Sequence, residues 1–137
     1  MAAFALTSAY IYLNGTTDIS SYVKSVQLSV EANELETTNF LSGGWKTVAA
    51  GLKSGQIQLT MNQDVAAGAL EATLWPLWAT VISFEIRPTN ASVSTSNPKW
   101  TGSALLREWS GVNGSVGDLA EVSITMPLSG AVTRATA

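Results

Sequence analysis

The sequence contains no cysteine and no histidine. The absence of cysteine excludes disulfides, thiol redox chemistry and cysteine-based zinc sites. Without either residue, Ser-His-Asp and Cys-His catalysis are also excluded. Only acidic side chains remain as catalytic candidates, so we expect no enzymatic activity.

Charged residues are also scarce, at 12% against about 25% in an average protein, whereas hydrophobic residues reach 46%. A chain this apolar is expected to fold. A surface with few charges is buried against a partner at low desolvation cost, which favours self-association. A monomer with a Ser- and Thr-rich β surface is the alternative. The length of 137 residues predicts a single domain, residues 1–137.

Basic clusters and long apolar runs are missing as well. The net charge is −3, and the seven bases are scattered between Lys24 and Arg134. Tight nucleic-acid binding requires clustered Lys and Arg, so we do not expect it. No run of about 18 apolar residues is present, and residues 1–6 lack the basic region of a signal peptide. We therefore predict no membrane insertion by this chain.

Two acids lie close together in the sequence, at Glu34 and Glu36. On a strand they would share one face, where a carboxylate pair can hydrolyse glycosides or bind calcium. Two solvated charges at the end of a strand are the favoured interpretation. No calcium loop and no phosphate-binding glycine pattern is present, so we predict no metal and no cofactor.

Apolar and polar residues alternate in several segments, which is typical of half-buried β-strands. The predicted strands are Tyr10–Leu13, 26–32, 56–62, Val81–Arg87, 100–109 and 119–126. Between the third and the fourth, Asp64 is expected to cap a helix whose apolar stripe runs from Val65 to Leu77. Pro76 is expected to end that helix near Leu74 or Trp75.

Strands, one helix and further strands in this order predict an α+β, mostly β domain with sandwich-like or barrel-like antiparallel sheets. The predicted core anchors are Trp75, Trp78, Ile82, Phe84 and Ile86.

Residues 33–55 have weak periodicity, four glycines and several large apolar side chains. A segment of this length and composition predicts a functional loop rather than a disordered one. Its apolar side chains would cost free energy if they were left in water, so we expect the loop to pack on its own domain or on a neighbour.

An ordered series of short motifs extends over most of the chain. It consists of Asp18-Ile19-Ser20, Trp45-Lys46, Gly51-Leu52-Lys53-Ser54-Gly55, Ala72-Thr73-Leu74-Trp75-Pro76-Leu77, Arg87-Pro88-Thr89, Asn97-Pro98-Lys99-Trp100-Thr101-Gly102, Gly114-Ser115-Val116-Gly117-Asp118-Leu119-Ala120 and Pro127-Leu128-Ser129-Gly130-Ala131-Val132-Thr133-Arg134. In order and spacing the series resembles the major tail proteins, or tail tube proteins, of long-tailed, siphovirus-like bacteriophages. The similarity is closest to those of actinobacterial phages.

The resemblance implies two packed antiparallel β-sheets with one flanking helix. It also implies self-assembly into rings, commonly of six subunits, that stack into a tube through which DNA is delivered to the host. The protein would be assembled in the bacterial cytoplasm, reside in the virion tail, and meet other tail proteins such as the tape measure and the terminator. The family needs no catalysis and no cofactor.

Two other functions remain open. Related folds occur in other virion subunits, so a tail terminator or a head decoration protein is an alternative. A carbohydrate-binding β domain is another, with Trp100 and Trp109 as platforms for sugar rings.

The resemblance also suggests where contacts are made. Residues 33–55 have the length and apolar content of an arm that reaches the next ring, as long loops do in this family. The termini, residues 1–8 and 129–137, are expected to be flexible or to dock on a neighbour. The candidate contact residues are Phe40, Leu41, Trp45, Lys46, Val48 and Leu52.

An acidic channel would let DNA slide, whereas a basic one would hold its phosphates. The candidates for acids that face such a channel are Glu31, Glu85 and Glu121, which we expect on outward faces of the sheets. Pairing of these acids with Lys24, Arg87 or Arg107 across subunits is an equally good interpretation.

Overall fold

A computed structural model describes residues 5–14 and 17–137 of the protein. The described residues form eight strands: β1 (Tyr10–Leu13), β2 (Thr17–Asp18), β3 (Val23–Glu36), β4 (Val48–Asn62), β5 (Val81–Arg87), β6 (Lys99–Leu105), β7 (Glu121–Pro127) and β8 (Thr133–Ala135). One α-helix, α1 (Leu70–Leu74), continues directly into a 3-10 helix, Trp75–Leu77. None of the described helices is long and apolar enough to cross a bilayer.

The strands form two antiparallel sheets. One has the order β2-β1-β5-β6-β8, and the other has the order β3-β4-β7. Their apolar faces pack together in one cluster of buried side chains. The predicted α+β, mostly β fold with two antiparallel sheets and one α-helix is confirmed.

Alternation along each strand places one set of side chains in this core. In β5, Ile82, Phe84 and Ile86 are buried, whereas Ser83 between them is exposed. The same pattern buries three side chains of β4 and three of β7, which are Ile57, Leu59, Met61, Val122, Ile124 and Met126. Each fully buried side chain of this size contributes about 1.5–3 kcal/mol of hydrophobic free energy.

The helix is shorter than predicted. Asp64 does not cap it, because its Oδ1 accepts the N–H of Ala66 at 3.0 Å in a turn that precedes the helix. Gly68 then adopts a positive φ of 76°, which interrupts helical geometry, and α1 begins after Ala69 without a side-chain cap. The predicted end near Leu74 is correct, and Pro76 lies at the start of the 3-10 helix that follows.

The prediction that Trp75 and Trp78 anchor the core is wrong. They are 53% and 48% exposed and stack on each other with ring centroids 5.6 Å apart. A 3-10 helix has three residues per turn, so positions 75 and 78 fall on the same side of it, and that side faces solvent. The buried Leu70 and Leu74 anchor α1 to the core instead.

Two strand boundaries also differ from the predictions. Residues 33–36 and 48–55 belong to β3 and β4, so the loop within residues 33–55 is limited to 37–47. Strand β6 ends at Leu105 rather than at Trp109, because the next residue, Leu106, donates its N–H to Thr80 outside the sheet ladder.

The described parts of the termini contact the body of the same chain. In the C-terminal segment, β8 pairs with β6. Of the N-terminal segment 1–8, residues 1–4 lie outside the described residues, and Ser8 forms a β-bridge with Thr89.

Candidate assembly surfaces

Strands β3 and β4 continue past the body of the domain as a hairpin, which we call the arm (residues 30–54). Their ladder is antiparallel from Val30 and Gly55 to Glu36 and Val48, with one irregularity between Ala32 and Glu34. Most arm residues are exposed, so backbone pairing rather than burial holds these strands together.

The tip of the arm (residues 37–47) is ordered by local hydrogen bonds. Thr37 donates its N–H to the carbonyl of Thr47 at 2.8 Å, and the two hydroxyls lie 2.9 Å apart. Asn39 Oδ1 accepts the N–H of Leu41 at 2.9 Å. Gly43 and Gly44 supply the positive φ angles of 66° and 83° that turn the chain. The tip is therefore a defined turn, although it has no contact with the core.

The arm carries many of the exposed apolar side chains. Of the fifteen large hydrophobic side chains that are exposed in the described residues, seven lie between residues 30 and 52, so the arm is a concentrated apolar surface. Phe40 and Leu41 at the tip are almost completely exposed, at 107% and 97%. Single exposed apolar residues are ordinary, but a contiguous group marks an interaction surface.

The structure brings the six candidate contact residues together on the arm. Phe40, Leu41, Trp45 and Lys46 lie in the tip, Val48 begins β4, and Leu52 follows on the same strand. Lys46 forms an ion pair with Glu34 at 3.0 Å. Glu34 and Glu36 thus belong to the arm, and no three carboxylates among the described residues lie close enough to share a metal ion.

A second feature is a groove of about 610 Å³ at the base of the arm. It lies between the inner face of β3 and the inner faces of β5, β6 and β8, where the two sheets do not close on each other. Its floor is apolar, and its rim is basic. Leu28, Trp100 and Val132 belong to the apolar floor, and Lys53, Arg87 and Arg134 supply the basic groups.

Sequence reasoning missed this groove. Its walls come from segments that are far apart in the chain, and their contact depends on long-range strand pairing. The sequence signal for the groove is Val30, which continues the apolar positions of β3. In the structure Val30 lies beyond the buried core and is 64% exposed.

Trp100 and Trp109 are not exposed platforms. Trp100 pairs with Ile86 in the ladder, so its side chain points to the inner face and lines the groove. Trp109 is partly buried and packs on the core cluster. Neither tryptophan presents a free ring face on the outer surface of a sheet.

The outer face of the three-stranded sheet is uncharged over most of its area. One row across the sheet consists of Gln27, Gln58 and Thr125, and the next consists of Ser25, Thr60 and Ser123. These side chains alternate with the buried residues of the same strands. The result is a flat polar surface of hydroxyl and amide groups.

The three candidate acids do not share one face. Glu31 and Glu121 belong to β3 and β7 of the three-stranded sheet, whereas Glu85 lies on β5 of the other sheet. Because β5 turns Ile82, Phe84 and Ile86 inward, Glu85 points away from the three-stranded sheet.

Two of these acids pair within the chain. Glu121 forms an ion pair with Lys24, and Glu85 forms one with Arg87 at 2.5 Å. Arg87 also lies 4.5 Å from the ring centre of Tyr10. Lys24 and Arg87, which were candidate partners across subunits, therefore form ion pairs within one subunit. The third candidate base, Arg107, lies 4.0 Å from Glu108 of the same chain.

Comparison with known proteins identifies the fold. No protein-family model matches the sequence, and no curated protein matches it. Among solved structures, the chain is similar to one from the virion of a native gene transfer agent particle, with a TM-score of 0.74, 18% identity and coverage of 96% of this chain and 98% of that one. It is also similar to a chain in the tail of an empty gene transfer agent particle with C6 symmetry, with a TM-score of 0.69, 18% identity and 92% coverage of both chains. The chain therefore has, over nearly its whole length, the fold of chains found in gene transfer agent particles.

Proposed function

We propose that this chain is the structural subunit of a phage-like tail tube, in which rings of six copies stack around a channel that DNA crosses. The observation that carries the proposal is the fold likeness to a chain of a C6-symmetric tail, which covers 92% of both chains. The exposed apolar arm supports it, because an isolated monomer has no use for such a surface.

Ring closure uses the edges of the three-stranded sheet. In the order β3-β4-β7, both β3 and β7 are edge strands. A long unpaired edge favours association, and β3 has 14 residues. Pairing of β3 in one subunit with β7 in its neighbour continues this sheet around the ring and leaves no free edge in it.

Edge pairing alone leaves either face of the closed sheet free to point inward, and we assign the polar outer face of the three-stranded sheet to the channel because of its charges. Lys24, the base at the border of that face, is neutralised by Glu121, and Glu31 makes no ion pair with another described residue. A surface of hydroxyls, amides and an unpaired acid does not hold phosphates, because binding to DNA depends on accessible Lys and Arg. Glu85 belongs to the opposite, outer surface of the tube.

Stacking of the rings uses the arm. Its tip projects beyond the body of the domain and exposes Phe40, Leu41 and Trp45. Burial of these side chains against a subunit of the next ring supplies the hydrophobic free energy of stacking. The tube meets the tape measure and the terminator in the virion tail, and it is assembled in the host cytoplasm.

The proposal is tested with the purified chain by light scattering and negative-stain electron microscopy. We expect rings and tubes with a central channel. A variant that lacks residues 40–46 should still form rings but no tubes, because it keeps both sheet edges and loses the apolar tip. Circular dichroism and urea unfolding show whether this variant keeps the native fold.

Other outcomes would change the proposal in defined ways. A protein that stays monomeric at high concentration contradicts it. Single rings of the wild-type chain that never stack indicate a terminator-like subunit. Tubes formed by the variant without residues 40–46 exclude the arm as the contact between rings.

A further inference from the structure

The groove at the base of the arm lacks a partner within the described chain. Leu28, Trp100 and Val132 form part of its apolar floor. Lys53 and Arg134 lie on its rim, and neither makes an ion pair with another described residue. No Asp or Glu lies among the described residues that line the groove. Its occupant should therefore combine apolar side chains with negative charge.

The arm has this chemistry. Its tip exposes Phe40, Leu41 and Trp45. Three acids against one base lie between residues 31 and 48, and Glu34 already pairs with that base, Lys46. Glu31 and Glu36 make no ion pair among the described residues, so the arm complements the groove in both hydrophobicity and charge.

An arm cannot fill the groove of its own chain. The groove lies at the base of the hairpin, where Val30 pairs with Gly55, and the ladder leads away from it as far as Glu36 and Val48. The tip lies beyond that last pair. The arm that fits the groove must come from a second copy.

We propose that the arm tip of one subunit docks in the groove of a subunit in the next ring, with its apolar side chains on the groove floor and Glu36 near Lys53 and Arg134. This proposal rests on the proposed tail tube function. The contact is heterologous, since every copy donates one arm and accepts another. Such a contact does not close on itself, so it allows rings to stack without limit.

The test uses two variants with complementary defects. The arm variant carries Phe40→Ser and Trp45→Ser, and the groove variant carries Val132→Glu and Arg134→Glu. A control variant, Lys99→Glu with Thr133→Glu, has the same change of net charge as the groove variant, but both positions lie on the strands β6 and β8 outside the groove lining. Each protein is assembled separately, and its products are measured by mass photometry and electron microscopy.

We expect the arm and groove variants each to form single rings, and the control variant to form tubes like the wild type. When preformed rings of the two variants are mixed, rings of the arm variant can accept arms and rings of the groove variant can donate them. The mixture should therefore give pairs of rings and nothing longer. This product distinguishes docking of arm in groove from a general loss of assembly.

A milder variant keeps the test valid if a charge at the partly buried Val132 prevents folding. Arg134→Glu alone changes an exposed rim residue, and it should raise the protein concentration needed for stacking of the rings about tenfold.

Normal stacking of rings by both groove variants overturns the proposal, as does failure of the folded groove variant to close rings. If a double variant with Trp75→Ser and Trp78→Ser forms only single rings, while both groove variants still form tubes, the arm docks on the tryptophan pair instead. A wild-type chain that forms no rings contradicts the tail tube function itself, and this proposal with it.

Discussion

At Gly55, β4 passes too close to its neighbours to leave room for a side chain. A Cβ atom at this position would lie 2.7 Å from Leu128 Cδ1 and would collide with the carbonyl oxygen of Ser29 on β3. The carbonyl of Gly55 also accepts the N–H of Leu128 at 3.0 Å. A glycine inside a strand often marks such a close approach of backbones, and here it joins the arm, β3 and the segment that leads to β8.

We predict that Gly55→Ala destabilises the protein by about 1–3 kcal/mol, because the added methyl group must displace backbone as well as a side chain. Gly111→Ala is the matched control, since nothing lies within 4 Å of a Cβ at position 111. Urea unfolding at a protein concentration below that of assembly gives both free energies of unfolding. Equal midpoints for the two variants would show that the close contact at Gly55 has no energetic effect.

At this scale, sequence predicts inward and outward positions but not special single residues. Alternation placed Ile82, Phe84 and Ile86 correctly on the inner face of β5. Asn97, in contrast, is one of several polar residues in a Thr-, Asn- and Ser-rich loop. It is buried, and its Nδ2 donates to the carbonyls of Thr89, Ala91 and Ser92. Nothing local distinguishes it from its neighbours, because its role depends on how the loop closes around it.

Among the elements, the short helix shows how exposure depends on helix type. Leu70 and Leu74 lie on the buried side of α1. The chain then tightens into the 3-10 helix that contains Pro76, and Trp75 and Trp78 stack side by side on the solvent side. Their large apolar surface suggested core positions, but the change of helical period moves them out of the core.

We therefore expect Leu74→Ala to cost about 2–5 kcal/mol of stability, as for other fully buried leucines. Trp78→Ala should cost about 1 kcal/mol or less, because roughly half of its side chain is already in water. Thermal and urea unfolding of the two variants, compared with the wild type below the assembly concentration, tests the difference. A larger loss for Trp78→Ala than for Leu74→Ala would restore the tryptophan as the anchor of the helix.

The arm explains where strand prediction fails. Period-two patterns arise when one face of a strand is buried and the other is wet. Between residues 31 and 50 every position except the partly buried Ser42 is exposed, so neither face imposes a pattern. Sequence therefore shows the apolar content and the length of the arm, whereas its hairpin form depends on pairing between β3 and β4 that leaves no trace in hydropathy.

At the scale of the whole molecule, the two sheets have outer faces of different character. The three-stranded sheet presents rows of Gln, Ser and Thr. The outer face of the five-stranded sheet carries Tyr10, Tyr12 and the Glu85–Arg87 pair. Alternation predicted that Glu31, Glu85 and Glu121 face outward, but it does not assign a strand to a sheet. That assignment requires long-range pairing, and it separates Glu85 from the other two acids.

The proposed orientation of the sheets in the tube leads to a prediction about access. Because the chain has no cysteine, a single introduced thiol reports on one position. Gln58 and Ser83 are matched sites, since both are exposed and each lies on the central strand of its sheet, β4 and β5 respectively. In assembled tubes, Gln58→Cys should react with a small maleimide but not with a maleimide on a polyethylene glycol too large to enter the channel. Ser83→Cys should react with both reagents, because it lies on the outside of the tube.

Dissociated subunits provide the control for this measurement. In them, both thiols should react with the small and the large reagent at similar rates, since neither side chain is buried by its own chain. If the large reagent instead labels Gln58→Cys in tubes and spares Ser83→Cys, the five-stranded sheet lines the channel. Glu85 and Arg87 would then face the DNA, and the polar rows of β3, β4 and β7 would form the outer wall. If the large reagent labels both positions in tubes, neither sheet faces a closed channel, and the arrangement of subunits in the ring must differ from edge pairing of β3 with β7.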